Sequence, residues 1–60
     1  MKTTLTNEEL KALGYTENIF ETYLYLFIND VDAIIIDNFS REITAPFGTP
    51  KYYLEELKIF

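Results

Sequence analysis

The sequence predicts a small α+β domain made of two N-terminal helices, a β-hairpin and a C-terminal helix. Three observations carry this prediction: helical spacing of apolar residues over 16–28, an isoleucine run at 34–36, and helix-capping residues near both ends of the chain. A chain of 60 residues allows a single small domain, which spans 1–60. The alternative is an all-α bundle of three or four helices, in which 31–39 forms a helix instead of a strand.

The first helix is predicted over Asn7–Leu13. Thr6 suits the N-cap, and Glu9 three residues later completes a Thr-x-x-Glu capping box. Gly14 is typical of the residue that ends a helix, because glycine adopts a positive φ without strain. A helix of this length is unstable alone and must dock through Leu10 and Leu13.

The second helix is predicted over Thr16–Ile28. At helical spacing its residues separate into an apolar and a polar face. The apolar face holds Ile19, Phe20, Tyr23, Leu24, Leu26 and Phe27. Tyr25 is the one aromatic residue on the polar face, where it accompanies Glu17 and Glu21. The pattern ends near Asn29, because a longer helix would bury two carboxylates without partners.

A β-hairpin is predicted over Asp32–Asp37 and Arg41–Ala45. The first segment is rich in isoleucine, whose β-branched side chain favours strands, and Pro46 ends the second. Alternate residues of a strand face opposite sides, so the first strand places apolar side chains on both of its faces. One face must pack on the helices, and the other needs a second cover, either the C-terminal helix or another subunit.

The C-terminal helix is predicted over Pro50–Lys58, because Thr49 suits the N-cap and proline is favoured at the first helical position. The chain then ends on Ile59 and Phe60. Chain ends are commonly polar and frayed. An apolar end is therefore expected to be tied down, either in the core or in a contact between subunits.

One spacing resembles that of a ubiquitin-associated domain, a three-helix fold. Leu13-Gly14-Tyr15 corresponds to the Gly-aromatic loop after the first helix of that family, and Asn29 and Val31 correspond to the Asn-x-Val before its third helix. The resemblance implies the all-α alternative, with Val31–Phe39 as the third helix. The predicted second helix is bulkier than that family's, and the C-terminal third of the chain has no counterpart in it.

The residue types present exclude several kinds of chemistry. The chain has no cysteine and no histidine, so it offers no thiolate, no disulfide and no imidazole ligand. Ser40 therefore lacks the histidine that a serine nucleophile of the triad kind requires. Asp30 and Asp32 begin the spacing of a calcium-binding loop, but the glycine that such a loop needs does not follow. We predict a non-enzymatic protein without cofactor or metal.

The net charge of −5 is confined to one part of the chain. Residues 12–40 hold five acids and no lysine or arginine, whereas the remaining acids and bases cancel. Direct nucleic-acid binding is not expected, because it needs clustered cations, and no apolar run is long enough to span a membrane. The acidic stretch instead predicts a face that binds a basic surface on a host protein. Its candidate partner-binding residues are Glu17, Glu21, Tyr25, Asp30, Asp32 and Asp37.

The predicted function is that of a small acidic protein-interaction module acting in the cytoplasm, a regulator or inhibitor of the kind that phages and plasmids encode. The abundance of Ile, Asn, Lys, Tyr and Phe is typical of AT-rich coding DNA, which fits such an origin. The simpler interpretation is that the acids form an ordinary solvated surface. A structural alternative is a self-assembling homodimer, in which Ile59 and Phe60 contribute to self-association.

Overall fold

The computed structural model describes residues 1–60 and contains a four-stranded antiparallel sheet with two short helices. Each strand pairs with the next strand along the chain, so the sheet is a meander in the order β1-β2-β3-β4. No helix is long and apolar enough to cross a membrane. The elements are α1 Asn7–Ala12, β1 Thr16–Glu17, β2 Tyr23–Phe27, β3 Ala33–Asp37, β4 Ile43–Thr44 and α2 Lys51–Glu56.

The predicted helix over Thr16–Ile28 is wrong, and with it the architecture of two N-terminal helices. These residues form β1, β2 and the turn between them. Aromatic residues and leucine alternate along Tyr23–Phe27, so this segment fits the period of a strand as well as that of a helix. A strand forms here because it directs Leu24 and Leu26 toward the core. It also keeps the rings of Tyr23, Tyr25 and Phe27 together on the opposite face.

The turn between β1 and β2 depends on Asn18. Its Oδ1 accepts hydrogen bonds from the backbone N–H groups of Thr22 at 2.7 Å and Tyr23 at 3.0 Å. Its own N–H donates to the carbonyl oxygen of Tyr23 at 2.9 Å. Glu21 adopts a φ of 57°, a left-handed conformation that ends any helix. The chain therefore reverses where the predicted helix would have continued.

Helix α1 begins with the capping box of Thr6 and Glu9. The Glu9 N–H donates to Thr6 Oγ1 at 3.2 Å, and the Thr6 N–H donates to Glu9 Oε1 at 2.9 Å. The helix ends one residue earlier than predicted, and Gly14 follows with a φ of 104°. Leu10 is fully buried and fastens this short helix to the sheet.

The second half of the chain also differs from the predicted bounds. The predicted hairpin is present, because β3 and β4 pair antiparallel, but its strands are shorter than the predicted Asp32–Asp37 and Arg41–Ala45. Because Val31–Phe39 contains β3 and not a helix, the all-α bundle and the resemblance to a ubiquitin-associated domain are wrong as well. A strand is favoured there because Ile34 and Ile36 both enter the core at a spacing of two residues.

The predicted C-terminal helix over Pro50–Lys58 is shortened at both ends. Helix α2 begins after Pro50, which caps it without a side-chain hydrogen bond. The hydroxyl of Thr49 donates to the Pro46 carbonyl at 2.6 Å instead of capping the helix. Lys58 has a φ of 51°, so the helix cannot include it.

The core lies between one face of the sheet and both helices. On that face Leu24 is opposite Ile36, and Ile36 is opposite Ile43 on the next strand. Helix α1 contributes one leucine to this layer, and the turn that follows α2 contributes another. The core side chains are Leu5, Leu10, Tyr15, Leu24, Ile34, Ile36, Ile43 and Leu57.

Both chain ends are tied to the sheet beside β4. Lys2 forms a bridge with Glu42, and Thr3 forms a bridge with Ile59. The buried hydroxyl of Thr3 donates to the carbonyl of Leu57, and the Phe60 N–H donates to the Lys2 carbonyl at 3.2 Å. The apolar C-terminus is thus held by backbone hydrogen bonds.

Candidate interaction surface

Strands β2 and β3 carry an apolar surface on the side of the sheet away from the helices. We call it the aromatic face, and its residues are Tyr23, Tyr25, Phe27, Ala33 and Ile35. The ring centroids of Tyr23 and Tyr25 lie 6.1 Å apart, and those of Tyr25 and Phe27 lie 5.9 Å apart with planes at 79°. Such tilted and edge-to-face contacts hold the rings in order, each contributing about 0.5–1.5 kcal/mol.

A shallow groove of ≈ 490 Å³ runs along the aromatic face. Asn18 and Ile19 extend its lining into the β1–β2 turn. Ile19 is 88% exposed, and its neighbour Phe20 is 80% exposed. These exposed apolar side chains make the aromatic face the candidate interaction surface of the protein.

The acidic residues predicted to bind a partner separate into two groups. Glu21 and Asp37 lie at one end of the β2–β3 hairpin, and Asp30 and Asp32 lie in the turn at the other end. The five residues of β2 separate these ends by about 13 Å at about 3.3 Å per residue. The two groups do not converge, and the aromatic face with Tyr25 at its centre lies between them.

Glu17 has a structural environment unlike that of the other acids. It stands opposite Leu24 on the side of the sheet that faces the helices, and it is half-buried. Its Oε1 lies 3.2 Å from Lys11 Nζ, and its Oε2 accepts a hydrogen bond from Asn38 Nδ2 at 3.1 Å. Both carboxylate oxygens of Glu17 therefore have partners within the fold.

Asp37 is the acid most directly on the aromatic face, where it stands opposite Tyr23. Its Oδ1 accepts hydrogen bonds from the backbone N–H groups of Ser40 and Phe39, both at 2.8 Å. These bonds, that of Ser40 first, hold the pKa of the Asp37 carboxyl below its ordinary value. Asp37 is therefore ionised at neutral pH.

The turn between β2 and β3 is organised by Asn29. Its Oδ1 accepts from the N–H groups of Val31 and Asp32, both at 2.9 Å, and its Nδ2 donates to Asp32 Oδ2 at 3.0 Å. Asp32 is thus partly engaged in the turn. Asp30 is exposed and makes no side-chain hydrogen bond within the chain.

An arginine-centred network supports the end of the hairpin where Asp37 lies. The Arg41 guanidinium donates to the Leu5 carbonyl at 2.6 Å, to Asn7 Oδ1 at 2.7 Å and to the Asn38 carbonyl at 3.3 Å. Asn38 in turn donates from Nδ2 to the Glu21 carbonyl at 2.6 Å. No carboxylate pairs with Arg41, so this cation serves the fold by satisfying neutral acceptors.

Replacing Arg41 by alanine is expected to lower the free energy of unfolding by about 1–2 kcal/mol, because the Leu5 and Asn38 carbonyls lose their donor. In a domain of this size that loss lowers the midpoint of thermal unfolding by about 4–8 °C per kcal/mol. The φ of 67° at position 41 strains alanine and arginine to a similar extent. The loss of stability in this variant therefore measures the hydrogen bonds of the Arg41 side chain. Lys51→Ala is the control, since this exposed cation has no partner in the chain. Equal midpoints for the two variants would contradict the prediction.

The sequence prediction placed Tyr23 and Phe27 on the apolar face of a helix and so missed them as site residues. The signal that reveals them is the alternation of aromatic residue and leucine over Tyr23–Phe27. No group of three or more carboxylates lies close enough to hold a metal ion. No protein family, curated protein or solved structure matches this chain. Its function is therefore inferred from its own surface.

Proposed function

We propose that this protein is a non-enzymatic interaction module that binds a basic site on another protein through its aromatic face. The observation that supports the proposal is a row of three aromatic side chains, Tyr23, Tyr25 and Phe27, on an open sheet face with carboxylates at both ends. Tyrosine and phenylalanine are enriched at the centres of protein interfaces. Carboxylates at the rim steer a cationic partner toward such a centre.

The face of the sheet suits this role better than its edges. At one edge β1 has only two residues, Thr16 and Glu17, which is too short to pair with an added strand over any length. At the other edge the N- and C-terminal segments already pair beside β4. Side chains on the face, and not backbone groups at an edge, therefore provide the contacts of the proposed interface.

A module that binds without catalysis acts on its partner by occupying a surface, which is the action of an inhibitor or a regulator. We extend the proposal to that role, in the cytoplasm and in the setting of a phage or plasmid. The composition typical of AT-rich coding DNA supports the setting. The clustering of all net charge within 12–40, the segment that forms the aromatic face and its two acidic ends, supports the role.

The proposal is tested by identifying a partner from a low-GC bacterial lysate and then measuring its affinity in purified form. Tyr25→Ser is expected to weaken binding about 30-fold, because a central aromatic anchor contributes about 2 kcal/mol or more. Binding should also weaken as salt rises, since exposed charges are screened.

The matched control is Tyr52→Ser, which removes an exposed tyrosine of α2 that lies outside the aromatic face. This variant should bind as the unaltered protein does. If both variants bind equally well, or if salt has no effect, the aromatic face is not the binding site and the proposal fails.

A second candidate is a homodimer that uses the chain end. Phe60 favours it, because its side chain is 77% exposed although its backbone is tied down beside Ile59. A stable dimer buries about 800 Å² per partner, close to a fifth of the 4156 Å² surface of this chain. Sedimentation at several concentrations decides this point, since a monomer throughout excludes the homodimer.

A further inference from the structure

We infer that the aromatic face receives an arginine side chain of the partner, at a site formed by the Tyr23 ring and the Asp37 carboxylate. This inference rests on the proposed function and adds the chemistry of the partner residue. The partner is a second protein, and the segment that it contributes is extended, with an apolar side chain two residues from the arginine.

The register of the sheet brings the two groups of this site together. Tyr23 and Asp37 are directly opposite on β2 and β3. The next pair along is joined by a backbone hydrogen bond from Asn38 to Thr22 at 3.0 Å. Because bonded pairs alternate with non-bonded ones, Tyr23 and Asp37 form a non-bonded pair, whose Cα atoms are only about 4.5 Å apart and whose side chains are adjacent.

The two groups offer what a guanidinium binds. A cation is attracted to the face of an aromatic ring within about 6 Å of its centroid. Asp37 uses Oδ1 for the two backbone N–H groups of its turn, which leaves Oδ2 to accept from a partner. Arginine can donate to that oxygen while its plane stacks on the Tyr23 ring, whereas a lysine ammonium cannot stack and is more strongly hydrated.

The neighbouring part of the groove defines the residue beside the arginine. Tyr25 lies one ring spacing of 6.1 Å from Tyr23, and Ile35 stands opposite Tyr25. In an extended segment, residues two positions apart point to the same side at about 6.6 Å. A segment with arginine over Tyr23 therefore places the side chain two residues away over Tyr25 and Ile35, where an aliphatic group fits.

A second copy of this chain does not supply such an arginine. Arg41 is the only arginine in the sequence, and it is half-buried with hydrogen bonds to Leu5 and Asn7. Of the lysines, Lys11 is paired with Glu17. A second copy would also bring its own net charge of −5 against the acidic ends of the hairpin. Charge and composition therefore favour a different protein with a basic surface.

The test uses synthetic peptides and the isotope-labelled full chain, with backbone amide resonances as the readout. The probe is a blocked heptapeptide with arginine at its second and sixth positions, leucine at its fourth and serine elsewhere. The order of its side chains is the same from either end, so the peptide can place an arginine over Tyr23 in either orientation along the groove. Two matched peptides carry lysine or the uncharged citrulline in place of arginine.

The arginine peptide is expected to shift the resonances of Tyr23, Tyr25 and Asp37. It should bind about threefold more tightly than the lysine peptide and about tenfold more tightly than the citrulline peptide. Asp37→Asn keeps an oxygen that can accept the hydrogen bonds of the turn but removes the negative charge. This variant should therefore bind the arginine peptide about fivefold more weakly. The control Glu55→Gln alters an exposed acid of α2 and should leave the affinity unchanged.

The inference is overturned if the citrulline peptide binds as tightly as the arginine peptide, if the shifts fall outside the aromatic face and Asp37, or if no peptide binds at millimolar concentration. Failure of the proposed function looks different, because it consists of a captured partner that binds the Tyr25→Ser variant as tightly as the unaltered chain. A partner that depends on Tyr25 but tolerates loss of its own arginines would refute only the inference.

Discussion

Replacing Ile36 by alanine is expected to lower the free energy of unfolding by about 2–5 kcal/mol. Ile36 is fully buried on the central part of the core face, opposite Leu24 on β2 and Ile43 on β4. The substitution removes buried methyl and methylene groups and leaves a cavity that a sheet held by pairing on both sides cannot close. Folded domains of this length have a total stability of about 3–9 kcal/mol, so the variant should be largely unfolded or close to its transition.

The matched control is Ile35→Ala, one residue earlier on the same strand. Ile35 points to the aromatic face and is 39% exposed, so its truncation should cost about 1 kcal/mol or less, mainly through strand preference. Urea unfolding followed by circular dichroism compares the two variants. Because neighbouring residues of a strand face opposite sides, a similar loss for both would contradict the assignment of the two faces.

Removing the hydroxyl of Tyr15 is expected to protect the protein against alkaline unfolding. Tyr15 is 4% exposed, and its hydroxyl has no hydrogen-bond partner. Burial first, then the charges of Glu56 and Tyr53, raises the pKa of Tyr15 from 10.0 to about 12. The folded state thus favours the neutral phenol. The contribution of Tyr15 to the free energy of unfolding is therefore complete below pH 10 and is lost as the pH rises through about 12.

The size of this alkaline loss follows from the linkage between pKa and stability. A difference of two pKa units corresponds to about 3 kcal/mol. Tyr15→Phe should therefore retain about 2 kcal/mol more stability than the unaltered chain near pH 12, and the full difference at higher pH. At neutral pH it should be equally or slightly more stable, because an unpaired buried hydroxyl is removed. Urea unfolding at several pH values measures both, and parallel loss in the two proteins would show that Tyr15 is not the responsible group.

Two segments show why the fold was only partly accessible from sequence. The capping box of Thr6 and Glu9 depends on neighbouring residues alone, so its pattern indicates the start of α1 directly. Tyr23–Phe27 is different, because five residues are too few to separate a helical period from that of a strand. Its pairing with β3 is a contact between distant residues, and local preference does not specify it.

The residues of the candidate surface were also only partly predictable from the sequence. Tyr25 was a candidate because a helix would place it on the polar face with Glu17 and Glu21. It lies instead at the centre of the aromatic face, and Glu17 turns toward Lys11 on the other side of the sheet. Tyr23 is part of the proposed site, but the sequence prediction grouped it with Leu24 on the apolar face of a helix, because a helical period places on one face residues that a strand places on opposite faces.

The sequence by itself determined the residue chemistry and the charge layout: no thiol or imidazole, and all net negative charge within 12–40. These are properties of composition and order, and folding does not change them. Only the tertiary structure decided that Tyr23–Phe27 is a strand and that its three rings share an uncovered face. It also decided that the acids divide between the two ends of one hairpin, because their positions follow from cross-strand register, which pairing between distant residues sets.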